Sequence, residues 1–232
     1  MRGLTAWTAG LAGPRDPAQP LLTYYDGPSR VELSGATTAN WVAKSANLLV
    51  DGLDSPQRVG LLLPLHWQSV CLLLAGVATG ATVVMATDAA GLERCEVAFV
   101  TAGQAEAALD TGVEQVLALS MHPLGAPLPS TPALVTDYAR EVPSYADQWG
   151  GAAPVGWSVE VGGAALPALP PLGVGPHDRV LVQVDPSHPA GLAGLLAVLA
   201  AGASLVLAVG EVGPLAGERL TATLDADGLR RL

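Results

Sequence analysis

Four histidines, two cysteines and one lysine are the side chains of this 232-residue chain best suited to chemistry. His188 makes the strongest case. It follows the short apolar run Val180–Val184 and the turn residues Asp185-Pro186-Ser187. The carboxyl ends of strands are where open α/β sheets hold ligands. A second assignment competes with substrate contact: His66 stands at an equivalent place earlier in the chain, and a histidine capping a helix start accounts for both. The four histidines, at 66, 122, 177 and 188, show no ligand-pair spacing, and His66 and Cys71 are poorly separated for joint ligation, so no metal site is expected. Cys71 and Cys95 lie in apolar surroundings and read as buried thiols of a reducing compartment. No Gly-x-Ser-x-Gly elbow occurs. Asp51, Asp110, Glu114 and Asp225 fall near expected element ends, where a solvated surface explains them. Ser34-Gly35-Ala36-Thr37-Thr38 mimics a phosphate loop, but it precedes a helical pattern and no Pro-Lys follows, so it reads as a helix cap. No residue is assigned as catalytic.

These groups are positioned by a unit that occurs twice. Arg58-Val59, an apolar run, Pro64, His66, an apolar stretch and Gly80-Ala81 recur as Arg179-Val180, Pro186, His188 and Gly202-Ala203. The offset is 121 residues at the arginine and 122 from the proline onward, as one insertion near Asp185 requires. Val59–Leu63 and Val180–Val184 read as buried strands stopped by proline. Val70, Leu73, Leu74 and Val77, like Leu192, Leu195, Leu196 and Leu199, fall at helical spacing. The glycines suit the left-handed position that ends a helix. Val83–Ala86 and Ser204–Val209 return as strands, completing a βαβ unit of a parallel sheet. The uncharged stretches Ser69–Thr87 and Gly191–Gly210 approach the length of a membrane span. Their internal Gly-Ala breaks and β-branched ends fit a buried helix and strand better.

Half the residues are hydrophobic, enough for one large domain or two intimate lobes. A net charge of −10 disfavours nucleic acid and anionic membrane surfaces as partners. Residues 1–20 read as an extended leader, too broken for a signal peptide, and the expected location is the cytoplasm. Leu21–Tyr25 and Arg30–Leu33 flank Asp26-Gly27-Pro28 as a hairpin. A helix is expected from about Thr38 to Val50, capped at Thr37 or Thr38 and closed by Gly52. Strands are expected at Glu96–Val100 and Gln115–Leu119, with a short helix at Gln104–Leu109 between them. Leu134–Val142 reads as a short helix or partly strand. Gly150 to Pro176 holds one strand candidate, Trp157–Val161, and the lobe boundary: 21–149 forms the first lobe and 150–232 the second. Arg219–Leu224 alternates as a strand, and the last residues have no evident core to join. The class is α/β, doubly wound and mostly parallel, in two similar lobes.

The hairpin Leu22–Leu33, the helix with Asn40-Trp41 and Asn47-Leu48-Leu49, Arg58-Val59 with Leu62-Leu63-Pro64, and Gly80-Ala81 resemble the opening of the AMP-forming acyl-activating enzymes, that is, acyl-CoA synthetases, luciferases and adenylation domains. Asp178-Arg179-Val180-Leu181, Pro186, His188, Gly191-Leu192 and Gly202-Ala203 look like that family's second lobe. More narrowly, the chain resembles short actinobacterial proteins that keep only this portion. The resemblance implies a histidine beside the acyl substrate at His188, and ATP or AMP as the nucleotide. It also implies a Ser/Thr/Gly-rich loop ending in Pro-Lys before the second lobe. Here that region reads Gly150-Gly151-Ala152-Ala153-Pro154, without hydroxyls or lysine, and no lysine follows Lys44.

Adenylation builds negative charge on phosphate oxygens, so losing those donors should cost orders of magnitude in rate. The expectation is a degenerate, truncated relative that is inactive alone and retains a cleft for a nucleotide or acyl group, or serves as an interaction partner. Two alternatives stand beside it: an acyl-adenylating enzyme completed by another chain, and a structural protein whose exposed apolar face is covered by self-association into a homodimer.

Overall fold

The computed structural model describes residues 16–152, 154, 156–209, 215 and 217–232. Most of the expected leader, Ala153 of the expected phosphate-loop segment, and the stretch after Val209 lie outside the described residues.

The hairpin forms as β1 (Pro20–Asp26) and β2 (Ser29–Ser34). Helix α1 (Gly35–Asn47) starts earlier than expected, because Ser34 rather than Thr37 or Thr38 is its cap: Ser34 Oγ accepts from the Thr37 amide at 3.1 Å. A π-helical turn, Leu48–Gly52, finishes it. The first repeat folds as β3 (Arg58–Leu62), α2 (Trp67–Thr79) and β4 (Thr82–Met85). Next come β5 (Val97–Thr101), α3 (Ala105–Leu109) and β6 (Gln115–Leu119). The ambiguous stretch resolves as β7 (Val135–Asp137) followed by α4 (Tyr138–Glu141). A hairpin of β8 (Ser158–Val161) and β9 (Ala164–Ala165) precedes the second repeat. That repeat is β10 (Arg179–Val182), α5 (Pro189–Ala200) and β11 (Ser204–Val209). β12 (Ala222–Asp225) and β13 (Gly228–Arg231) close the chain, so the final residues do join a sheet.

Two mostly parallel sheets result, ordered β7-β6-β5-β3-β4-β8-β9 and β13-β12-β10-β11-β1-β2. The repeat is longer than its sequence signature. β5 pairs in parallel with β3, and β12 with β10, so each half is three strands with the third beside the first. Gly80 and Gly202 end the two repeat helices with φ of 83° and 78°, the left-handed region expected of them.

The strand assignment differs from the expected lobes in two places. β1 pairs with β11, so the N-terminal hairpin belongs to the second sheet. β8 pairs with β4, so the strand at the expected boundary extends the first sheet. Both are long-range parallel pairings, which no local pattern encodes.

Helix α2 is buried from Trp67 to Ala78 and contacts α1, β1, β3 and β4, so it lies between the two sheets. A helix apolar on every side needs such a place. Among the described residues, no helix is long and apolar enough to cross a membrane. One continuous core draws Leu22, Leu48, Val59, Leu73, Leu196 and Leu205 from both sheets and all three long helices. Each fully buried leucine contributes roughly 2 kcal/mol.

One polar hub ties the hairpin to the second repeat. Glu218 is 4 % exposed. Its carboxylate accepts from Arg179 Nε at 2.9 Å, from Arg30 Nε at 2.9 Å and from the Tyr25 hydroxyl. Arg179 also donates to Thr23 Oγ1 at 2.8 Å. Burial alone would raise the Glu218 carboxyl, but the hydrogen bonds from Tyr25, Arg179 and Arg30 outweigh it and hold it at about 2. Glu218→Gln should therefore destabilise the fold by about 2 kcal/mol, because Arg179 loses its buried anion and keeps only Glu32, at 3.6 Å. Arg30→Ala, on the solvent side, should cost under about 1 kcal/mol. Urea denaturation of the two variants measures both.

Candidate functional site

The two repeat histidines have different fates. His66 ends the segment after β3 with none of its surface exposed. Its Nδ1 accepts from the Gln68 amide at 3.1 Å, so it caps α2 as the sequence suggested. Its ring lies 4.5 Å from Tyr24 and 5.5 Å from Trp67, at the seam between the sheets. His188 is exposed and makes no side-chain cap at α5. Asp185 turns the chain in its place: Oδ1 accepts from the Ser187 amide at 2.8 Å and the Ser187 hydroxyl at 2.6 Å. The imidazole of His188 is thus left uncommitted at the mouth of a cavity.

That cavity has a volume of ≈ 350 Å³. It opens between the carboxyl ends of β10 and β12, whose onward connections run in opposite directions across the sheet. This is the switch point at which open α/β sheets bind ligands. Val184, Leu224 and Leu229 make its apolar wall, and Gly191 and Gly194 its helix side. A Cβ on Gly191 would stand 2.9 Å from Val184, and one on Gly194 3.0 Å from Leu224, so the glycines let α5 approach the strands. Asp185 and Asp225 sit at the mouth, and among the described residues neither lysine nor arginine lines the cavity.

The segment set against a phosphate loop, 150–154, precedes β8 and so lies at the amino end of that strand. Phosphate loops work at the carboxyl end. The turn there is Gly162-Gly163, two residues with φ of 57° and 79°, carrying no hydroxyl and no cation. Sequence reasoning missed it because an unpaired Gly-Gly looks like any loop, and only the pairing of β8 with β4 gives it a position. A cavity of ≈ 490 Å³ lies beside this turn; its lining holds the exposed Arg94, next to Glu93, and also Arg58. The Arg58 guanidinium is held in a two-pronged pair by Glu160, at 3.1 and 2.7 Å, which neutralises it. Lys44, the single lysine, is committed elsewhere: its ammonium donates to the carbonyls of Pro143 at 3.0 Å and Tyr145 at 2.5 Å.

Cys71 and Cys95 are buried, and burial pushes both thiols up. Among the described residues, no three His, Cys, Asp or Glu side chains gather as metal ligands.

Burial pushes His66 down to about 4. Unfolded, a histidine binds its proton near 6.5. Between these values the unfolded chain holds more protons, so stability should fall as pH drops from about 6.5 toward 4, by up to about 3 kcal/mol. His66→Asn can keep the cap and does not titrate. Denaturant melts across this range should show the slope in the native chain and its loss in the variant.

No family model matches the chain. Solved structures with the same fold include a benzoate CoA ligase from Burkholderia xenovorans LB400 (TM-score 0.68, 15 % identity, 89 % of this chain and 45 % of that one). An anthranilate CoA ligase in complex with anthranoyl-AMP (0.67, 16 %, 89 % and 45 %) and an acyl-CoA synthetase from Brucella canis (0.66, 16 %, 89 % and 46 %) are similar to it as well. The chain spans a little under half the length of these proteins. A TIGR03089 family protein from Mycobacterium tuberculosis is 37 % identical over 202 residues, covering 82 % of this chain and 83 % of that one. The chain therefore belongs to the TIGR03089 family, on an α/β fold similar to the N-terminal domain of acyl-CoA synthetases.

Proposed function

We propose that this protein is a non-catalytic relative of the AMP-forming ligases that holds a small, neutral acyl or aryl group in the cavity beside His188. The observation that carries this reading is the ≈ 350 Å³ apolar cavity at the β10–β12 switch point, with an uncapped histidine at its mouth and, among the described residues, no lysine or arginine in its lining. Its volume is in the range of small-molecule sites. The imidazole can donate its N–H to a thioester or ester carbonyl held at the opening. The Asp185 carboxylate disfavours a bound polyphosphate or free acid, whereas Asp225 is paired with Arg230. That two ligases of similar fold carry names for aryl acids, benzoate and anthranilate, is in keeping with this ligand class.

The reading against turnover rests on charge. Phosphoryl oxygens gain negative charge during adenylation and need preorganised donors. The Gly162-Gly163 turn supplies no side-chain donor, Arg58 is neutralised by Glu160, Lys44 is tied to two carbonyls, and the exposed Arg94 shares its cavity with Asp88 and Glu93.

The test is calorimetry with a neutral probe, the benzoyl thioester of N-acetylcysteamine, alongside a pyrophosphate-release assay with ATP, magnesium, benzoate and coenzyme A. Saturable binding and no pyrophosphate are expected. Ala190→Trp, at an exposed position on the rim, should block the cavity and weaken binding by at least about tenfold. Sustained pyrophosphate release would contradict the non-catalytic reading. Binding indifferent to Ala190→Trp would contradict the assigned cavity.

A further inference from the structure

The two halves repeat more than a sequence signature: each has its own switch point. In the first sheet, β3 leads outward to β4 and β5 leads the opposite way to β6. A crevice opens between the carboxyl ends of β3 and β5, as it does between β10 and β12. It holds a separate cavity of ≈ 330 Å³. The geometry points to a second ligand site here, for a small neutral polyhydroxylated molecule such as a monosaccharide or polyol.

The lining separates into two kinds of surface. Leu62, Pro64 and Ala86 form an apolar floor at the ends of β3 and β4. Such a floor suits the C–H face of a sugar ring. Around it stand hydroxyl, amide and carboxylate groups from three further places: Thr87 after β4, Thr101 and Gln104 after β5, and Ser187 and Asp185 from the second repeat. Thr101 Oγ1 and Gln104 Oε1 are bonded at 2.9 Å, which leaves the Gln104 amide with two N–H donors to offer. Asp185 spends Oδ1 on Ser187, so Oδ2 is left to accept hydroxyls. Donors and acceptors therefore alternate around an apolar floor.

Charge narrows the class. Among the described residues no lysine or arginine lines this cavity, and Asp185 faces it, so a phosphate or carboxylate ligand meets repulsion without compensation. A wholly apolar ligand would strand the Gln104 amide and the Asp185 carboxylate without water, a cost that hydrogen-bonding sites exact strongly. A ligand with several hydroxyls satisfies both. The inference does not depend on the acyl reading, because Asp185 alone is shared between the two linings.

Calorimetry and saturation-transfer NMR of the full chain with D-glucose and with myo-inositol test it. Saturable binding of at least one probe is expected, with glucose 6-phosphate weaker than glucose. Gln104→Ala and Thr87→Val change partly or fully exposed side chains and should each weaken binding about tenfold at an unchanged melting temperature. Ala190→Trp, which closes the other cavity, should leave it unaltered. Absence of saturable binding by both probes, or binding that ignores Gln104→Ala and Thr87→Val, would overturn the assignment.

Discussion

The parallel pairing of β1 with β11 is the constraint on which the rest of the structure depends. It runs from Leu22 opposite Leu205 to Asp26 opposite Val209, joining segments about 180 residues apart. With β1 fixed in the second sheet, the chain must cross to the first sheet through α1. That crossing places α1 and α2 between the sheets, where their apolar surfaces are covered on both sides. Loop closure over such a distance is entropically costly. On the outer face of the sheet, the hub of Arg179, Glu218, Tyr25 and Arg30 reaches across β11 to tie the hairpin to β10 and the segment before β12, and on the inner face the apolar contacts of Leu22 and Tyr24 join the hairpin to the core.

The two halves started from one plan and were completed differently. Glu93 stands four residues before Val97 and Glu218 four before Ala222, and Val97 and Ala222 occupy the same position beside the first strand of each repeat. Each glutamate is followed by an arginine. In the second half the glutamate turns inward and binds the repeat arginine, Arg179. In the first half Glu93 stays at a cavity rim, and Arg58 is bound instead by Glu160 of β8, where the second sheet has Thr23 of β1 at the matching register. The histidines diverge in the same manner: His66 is consumed as a cap and a seam residue, and His188 is released because Asp185 makes the turn. Both arginines and one histidine serve structure, and the other histidine stands at a cavity mouth.

How much of this was legible follows from the range of each interaction. The βαβ units were readable because proline, helical spacing and left-handed glycine act within a few residues. The early start of α1 was hidden because Ser34, Thr37 and Thr38 are all competent caps, and only the Ser34 hydroxyl reaches a free amide. The hairpin's allegiance to the second sheet, and that of β8 to the first, are set by parallel pairings with no local signal. His188 was picked out correctly as lying at a strand end, but its freedom was not visible, since that depends on the Asp185 turn. The Gly162-Gly163 turn carried no chemical side chain and gained meaning only from its place at the carboxyl end of β8.

The central claim is that the strand-end clefts of the ligase fold persist here without the cations that polyphosphate requires. Calorimetric titration of the full chain with ATP and magnesium tests this most directly. The account predicts no saturable heat through low-millimolar nucleotide, because among the described residues the cavities at both switch points lack lysine and arginine, Arg58 is spent on Glu160, and the exposed Arg94 stands with Asp88 and Glu93. Saturable binding of ATP in the micromolar range would contradict it, and would mean that a phosphate site exists on residues this account assigns to structure.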